Sequence, residues 1–186
     1  DHAQLERHDH LLLETDAGTR LALNDPRRFG SVDLFPTEAL DEWPAFKALG
    51  PEPFDLDPRL LQRRLSGRTA AIKLLLGDQR IVAGLGNIYV CEALYRGGIH
   101  PKRPGGSVSL DRLRRLVTAI EDVLAEAIEA GGSSLKDFAS PDGELGYFSK
   151  SFAVYDREGQ PCGCGGTVKR IVQGGRSTFY CPKCQR

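Results

Sequence analysis

Two close cysteine pairs near the C-terminus constrain this chain more than any other feature. Cys162-Gly-Cys164 and Cys181-Pro-Lys-Cys184 bracket a 16-residue stretch that holds Lys169, Arg170 and Arg176 and no acidic residue. The stretch is β-prone, and cysteine pairs on either side of a hairpin are how a short chain gathers four thiolates around one zinc ion. It has almost no apolar core, so metal binding supplies its folding energy. The second pair has the usual C-x-x-C spacing, whereas the first is C-x-C, one residue short. A disulfide pair or unliganded thiols are the alternatives. No stretch reads as a signal peptide or a membrane span. That points to a cytosolic chain, where disulfides are disfavoured. Cys91 stands apart in a helical pattern with Ile88, Leu94 and Tyr95 and reads as a small core residue.

The net charge of zero argues at first against a polyanion partner, but its distribution reverses that reading. Residues 1–57 carry 5 basic and 13 acidic side chains, and residues 58–186 carry 20 basic and 12 acidic. Charge asymmetry of this kind points to a polyanion partner. Overall neutrality limits non-specific sticking.

The length suits one domain plus a module, or two small domains. Residues 11–35 read as strands: Leu11 to Thr15 and Arg20 to Asn24 as a hairpin, then Ser31 to Phe35. Two or three strands cannot bury both faces, so the chain reads as starting inside a β domain. Thr37 to Leu49 reads as a short amphipathic helix with Trp43 and Phe46 inward, and Gly50-Pro-Glu-Pro as a linker. From Pro58 the pattern turns helical, with Leu60, Leu61, Leu65, then Ile72, Leu75, Leu76. A long helix from Ser109 and Asp111 has the stripe Leu113, Leu116, Val117, Ile120, Val123, Leu124, Ile128 and stops at Gly131-Gly132. The fold class is α+β: a β-sandwich remnant over residues 1–50, a helix–two-turns–helix domain over 51–152, and a zinc hairpin over 153–186.

Two further constellations carry chemistry. Gly84-Leu-Gly-Asn-Ile-Tyr opens a helix. Glycines there let a ligand approach the backbone, and the helix N-terminus offers free N–H groups to phosphate. A plain tight turn between helices is the alternative. Asp25-Pro-Arg-Arg-Phe-Gly30 puts two arginines and an aromatic ring on a loop tip. Arginine forks onto phosphates or base edges, and an apolar ring can wedge between base steps. A solvated turn with Phe29 packed underneath is the alternative. His8 and His10 alternate on a presumptive strand with nothing at metal spacing. No nucleophile elbow, phosphate-binding P-loop or zinc-protease motif is present.

Six ordered motifs resemble the bacterial formamidopyrimidine-DNA glycosylase family. They are Pro26-Arg-Arg-Phe-Gly, Leu49-Gly-Pro-Glu-Pro, Asp78-Gln through Gly84-Leu-Gly-Asn-Ile-Tyr, Gly98-Ile-His-Pro, Asp142-Gly-Glu-Leu-Gly-Tyr-Phe, and Gly174-Gly-Arg-Ser-Thr-Phe-Tyr-Cys-Pro-Lys-Cys-Gln. The resemblance runs from about His8 to the C-terminus. It implies a base-excision enzyme that removes oxidised purines (8-oxoguanine, formamidopyrimidines) and cleaves the abasic strand by β,δ-elimination, with the target base extruded. It implies double-stranded DNA with an oxidised purine or abasic site as partner, a monomer, and a cytoplasmic, nucleoid-associated protein. The family's N-terminal proline amine forms a Schiff base with the sugar, beside a glutamate acid and an assisting lysine. None of the three maps onto a residue here, and Asp1-His-Ala-Gln stands where the family has Pro-Glu-Leu-Pro-Glu. The chain therefore reads as the C-terminal two-thirds of such an enzyme; a non-catalytic, zinc-dependent damaged-DNA-binding fragment is the alternative.

The resemblance also implies residue roles. His8 matches a DNA-contacting histidine, Arg27 the reader of the orphaned cytosine, Arg28 a phosphate contact and Phe29 the stacking wedge. Arg68 sits where a basic DNA contact is expected. Lys73 and Asn87 match ligands of the phosphates flanking the flipped nucleotide. Arg176 matches the zinc-hairpin arginine, a phosphate contact and the proton donor in δ-elimination. Residues 140–148 match the lesion-capping loop, and Cys162, Cys164, Cys181 and Cys184 match the zinc ligands.

Overall fold

A computed structural model describes residues 6–133 and 146–186. The chain divides into two compact units, Asp1–Trp43 and Pro44–Arg186.

In the first unit, β1 (Asp9–Glu14) and β2 (Arg20–Asn24) form an antiparallel hairpin with Leu12 opposite Ala22 and Leu13 opposite Leu21. Gly18 closes the turn at φ +77°, a conformation that costs glycine nothing. Ser31 to Phe35 is not a third strand. A strand needs a paired edge, and Leu34 is instead 99% exposed. The single helix expected over Thr37 to Leu49 is broken in two. A 3-10 turn spans Thr37–Glu42, and α1 covers only Pro44–Lys47. Pro44 is the cause: a residue before proline is driven out of the helical region, and Trp43 is extended at ψ 124°. Trp43 packs on Phe35, ring centroids 5.2 Å apart. Phe46, expected to face inward, is half exposed.

The second unit is built on helices. Gly50-Pro-Glu-Pro is not a free linker. Gly50 N–H donates to the Gln79 carbonyl (2.8 Å), and the Pro51 carbonyl accepts from Ala83 N–H (3.0 Å). A Cβ on Gly50 would lie 2.7 Å from the Ile81 carbonyl, so this close approach needs glycine. α2 (Pro58–Leu65) is capped by Asp57, whose carboxylate accepts from the N–H groups of Arg59 and Leu60, with proline at the first turn. α3 (Ile72–Leu76) is one short turn that ends at Gly77. The loop that follows buries Ile81, Val82 and Leu85 and turns at Gly84, φ +71°. It delivers α4 (Asn87–Arg96), and α5 (Leu110–Glu129) closes the layer.

The core joins Leu61, Leu65, Ile72, Leu76, Leu94, Leu113, Leu116 and Ile120 from α2, α3, α4 and α5. Fully burying a Leu-sized side chain contributes about 1.5–3 kcal/mol, and none of these side chains is a metal ligand. The α5 stripe runs as expected to Val123, with Leu124 partly buried, but Ile128 is exposed and Ala127 is buried in its stead. In the last turn the Ile128 side is left uncovered among the described residues.

The C-terminal hairpin, β3 (Lys169–Gln173) and β4 (Arg176–Tyr180), pairs Gln173 with Arg176 across a two-residue Gly174-Gly175 turn. Both glycines have positive φ, 57° and 73°, which is the turn that matches strand twist. β4 lies against α4. Between them a second cluster gathers Cys91, Val154, Cys162, Val168, Phe179 and Cys181, with Tyr95 alongside.

Glu92 fastens the two parts. It sits on α4 with no exposed surface, and its carboxylate accepts from three backbone N–H groups, Ala153 (2.9 Å), Val154 (3.0 Å) and Tyr155 (2.8 Å). Gln185, also buried, accepts from Cys181 N–H (2.7 Å) and donates to the Ile99 carbonyl (2.9 Å). Glu92→Ala strands three backbone donors, one of them fully buried and two partly so, so a loss of about 3 kcal/mol is expected in urea unfolding. A loss below about 1 kcal/mol, the net worth of a single ordinary hydrogen bond, would show that the Glu92 carboxylate does not hold the segment that leads into the hairpin.

Candidate metal centre and nucleic-acid interface

The four cysteines converge. Their sulfurs all lie within 4.8 Å of one another, with Cys162 to Cys184 and Cys164 to Cys181 each 3.6 Å apart. A tetrahedron with Zn–S bonds of about 2.3 Å has edges of about 3.8 Å, so the set fits zinc. A disulfide needs about 2.05 Å, and all five cysteines are free thiols. Gly166 leaves room for the cluster: a Cβ there would lie 2.9 Å from Cys181 Sγ and 3.3 Å from Cys164 Sγ. The Cys164 N–H, then the Tyr95 hydroxyl, pull the Cys162 thiol down to about 6, while a hydrogen bond to the Cys164 sulfur, then burial, pushes Cys184 up. Four thiols this close cannot all ionise unless a cation balances them, and bound zinc supplies that charge and a fixed geometry. The C-x-C spacing thus still delivers its sulfurs. Cys91 is a core thiol, as its helical pattern suggests, and burial pushes it up to about 11.

The hairpin turn then completes a second site. A cavity of about 210 Å³ is lined by Lys73, Leu74, Gly77, Asn87, Val90, Gln173, Gly174 and Arg176. It contains two cations and no acid. Lys73 is only 5% exposed. Burial pushes its ammonium below the usual lysine range, and the charge of Arg176 pushes the same way. An anion in the cavity relieves both costs. The backbone is fitted to this contact: Gly174 approaches α3 so closely that a Cβ would lie 2.9 Å from Leu74 Cδ2. Asn87, at the first turn of α4, donates through Nδ2 to the Ser177 carbonyl (2.9 Å). Besides lining the cavity it therefore ties the helix start to β4. Arg68 is exposed, donates to the Arg64 carbonyl (2.8 Å) and lies outside this lining.

In the first unit, the Asp25–Gly30 loop is a closed ring. The Asp25 carboxylate accepts from Arg27 N–H (3.1 Å) and Gly30 N–H (2.6 Å), and its carbonyl accepts from Arg28 N–H (3.2 Å). The Gly30 bond leads in holding the Asp25 carboxyl below the usual range. Arg28 has φ +53°, an uncommon conformation for a non-glycine residue. Phe29 is 79% exposed, with the Arg27 guanidinium 4.7 Å from its ring centre. A ring packed beneath the turn is therefore ruled out. The His8 carbonyl accepts from Asp25 N–H (3.0 Å), and His10 Nε2 donates to the Asp25 carbonyl (3.0 Å). The histidines flank the loop base, and the four cysteines are the only metal-competent cluster among the described residues. Of the expected capping loop, residues 140–145 lie outside the described residues. Phe148 is buried against Phe152, ring centroids 5.6 Å apart.

Sequence reasoning missed the structural roles of Asp25, Glu92, Tyr95 and Gln185. Glu92 left a signal, an acid set among the buried positions of a helix. Asp25 left another, an acid before proline where side chains cap turns.

Comparison with known proteins agrees with this geometry. Residues 49–139 match the formamidopyrimidine-DNA glycosylase H2TH domain, and residues 159–186 match the zinc finger found in FPG and IleRS. The chain is 64% identical to the formamidopyrimidine-DNA glycosylase of Novosphingobium aromaticivorans, over 100% of this chain and 70% of the relative. It is 60% identical to that of Erythrobacter litoralis, with the same coverage. The crystal structure of the MutM (Fpg) protein from Thermus thermophilus superposes with a TM-score of 0.87 at 41% identity, covering 98% of this chain and 70% of that one. Lactococcus lactis Fpg in complex with abasic-site DNA gives 0.88 at 36% identity, covering 99% and 68%. With the zinc cluster, the two-turn helical layer and the whole length of the chain all matched, the chain belongs to the formamidopyrimidine-DNA glycosylase family.

Proposed function

We propose that this chain acts on double-stranded DNA carrying an oxidised purine or an abasic site, as the DNA-gripping part of a base-excision glycosylase and β,δ-lyase. The observation that carries the reading is the acid-free cavity where Lys73, Asn87 and Arg176 meet. Its size and charge suit backbone phosphate, and its donors come from α3, α4 and the zinc hairpin, so only the assembled unit offers them.

The chemistry follows from these residues. Lys73 and Arg176 take the phosphates flanking an extruded nucleotide, and holding that backbone bent keeps the base out of the stack. Arg176 is also the proton donor for the second elimination. The division of labour runs 1–50 for the β unit, 51–152 for the helical layer and 153–186 for the zinc hairpin, whose shape the metal holds. Arg27 forks onto the edge of the orphaned base, Arg28 and His8 contact phosphate, and Phe29 fills the gap in the stack. Arg68 adds a peripheral phosphate contact. The protein works as a monomer in the cytoplasm, at the nucleoid. No helix among the described residues is long and apolar enough to cross a membrane.

The family's proline, glutamate and lysine have no counterpart in residues 1–186. With a duplex bearing one 8-oxoguanine opposite cytosine, this polypeptide alone is expected to bind without a borohydride-trapped adduct. A trapped adduct would mean that another amine in the chain attacks the sugar. Arg176→Ala should weaken binding on every duplex and flatten the slope of log K against log salt by about one unit; an unaltered slope rules out the phosphate contact. Phe29→Ala should lower the fluorescence change of a base analogue beside the lesion while leaving affinity for undamaged duplex within about twofold. A full fluorescence change in that variant would remove the wedge role.

A further inference from the structure

The short first cysteine pair raises a question of hydrogen bonding. A zinc-bound thiolate keeps excess negative charge, and outer donors that share it fix the ligand and raise metal affinity. In Cys162-Gly-Cys164 the loop between the sulfurs is one residue shorter than in Cys181-Pro-Lys-Cys184. Within the knuckle, the Gly165 N–H donates to the Cys162 carbonyl at 2.8 Å. The backbone of the knuckle thus spends this donor on itself.

A donor to the sulfur arrives from a distant part of the chain. Tyr95, in the last turn of α4, places its hydroxyl 3.3 Å from Cys162 Sγ, across a separation of 67 residues. We infer that Tyr95 is the outer hydrogen-bond donor to the zinc thiolate of Cys162, a positioning residue that completes the C-x-C half of the site from α4. The inference rests on the four-cysteine site holding zinc. The direction of the bond then follows: a zinc-bound Cys162 has no proton to give, so the hydroxyl donates and the sulfur accepts. The ring has its own reason to be there, since it packs beside Cys91, Val154, Val168 and Phe179. Packing accounts for the ring and not for the oxygen, because phenylalanine fills the same space.

The arrangement gives α4 a grip at both ends. Asn87 at its start is bonded to the Ser177 carbonyl of β4, and Tyr95 at its end to a metal ligand. Glu92 between them holds the incoming segment. Metal retention is therefore coupled to the helix that lines the phosphate cavity, while the cavity residues themselves keep their own contacts when the tyrosine oxygen is removed.

The test uses the zinc-loaded chain, after its metal content is confirmed as one per chain, with Tyr95→Phe and, as control, Tyr89→Phe. Tyr89 lies on the same helix, and its hydroxyl bonds Ser133 rather than a cysteine. Zinc transfer to excess chromogenic chelator should be about tenfold faster in Tyr95→Phe and unchanged in Tyr89→Phe. With cobalt in place of zinc, the thiolate-to-metal charge-transfer band should move to lower energy in Tyr95→Phe alone. DNA affinity in excess zinc should match the unmodified chain. Equal transfer rates and an unmoved cobalt band in Tyr95→Phe would overturn the assignment. So would a Tyr89→Phe chain that loses zinc equally fast, since that would report general loosening. A chain that holds no zinc at all would instead sink the metal reading itself.

Discussion

The seating of the C-terminal hairpin on α4 is the contact on which the rest depends. The hairpin has few apolar side chains of its own, and β4 buries Phe179 and Tyr180 only because the helix lies under it. Three sets of bonds tie the C-terminal segment to the helical layer. Glu92 gathers three backbone donors, Gln185 bridges Cys181 to Ile99, and Asn87 reaches the Ser177 carbonyl. A buried carboxylate is costly unless its oxygens are fully bonded, so Glu92 works in one register only. The metal cluster adds closure within the hairpin, and Glu92 holds residues 153–155, the segment that leads into it.

That placement creates the electrostatics. Lys73 on α3 and Arg176 on β4 are far apart in sequence, and each alone is an ordinary cation. In one cavity with no acid in the lining, Arg176 adds to the burial that already pushes Lys73 below the usual lysine range, and an anion there would relieve both. The chain tolerates this because the helical core stands on its own burial, with Leu61, Leu65, Ile72, Leu76, Leu94, Leu113, Leu116 and Ile120 wholly or almost wholly enclosed. Stability and function are thus supplied by different layers. The same separation holds in the first unit, where Asp25 spends its carboxylate on backbone N–H groups and thereby leaves Phe29 pointing into solvent.

Much of this was legible in the sequence because it rests on local rules. Period and caps located α2, α4 and α5, and a β-prone stretch between two cysteine pairs located the hairpin of β3 and β4. Cysteine pairs announced a zinc site, which the family match and the 3.6 Å sulfur spacings bear out. The errors were local rules overridden by a neighbour. Pro44 cut a helix that apolar spacing alone would continue, Ser31 to Phe35 found no strand to pair with, and Gly50 was pulled from a linker into a packed contact by the Gln79 to Ala83 loop.

By itself, then, the sequence determined the elements and the chemistry they carry: a helical layer, a cationic hairpin, four thiols for one metal, and an exposed Arg-Arg-Phe loop. Each follows from residues that act within a turn or two of one another. Only the tertiary structure decided that Lys73, Asn87 and Arg176 share a cavity, that Glu92 is a clasp and that Tyr95 reaches Cys162. Those contacts span 61 to 90 residues where their partners are bonded directly. No periodicity encodes such a pairing, because it depends on how whole faces pack once the helices and the hairpin have met.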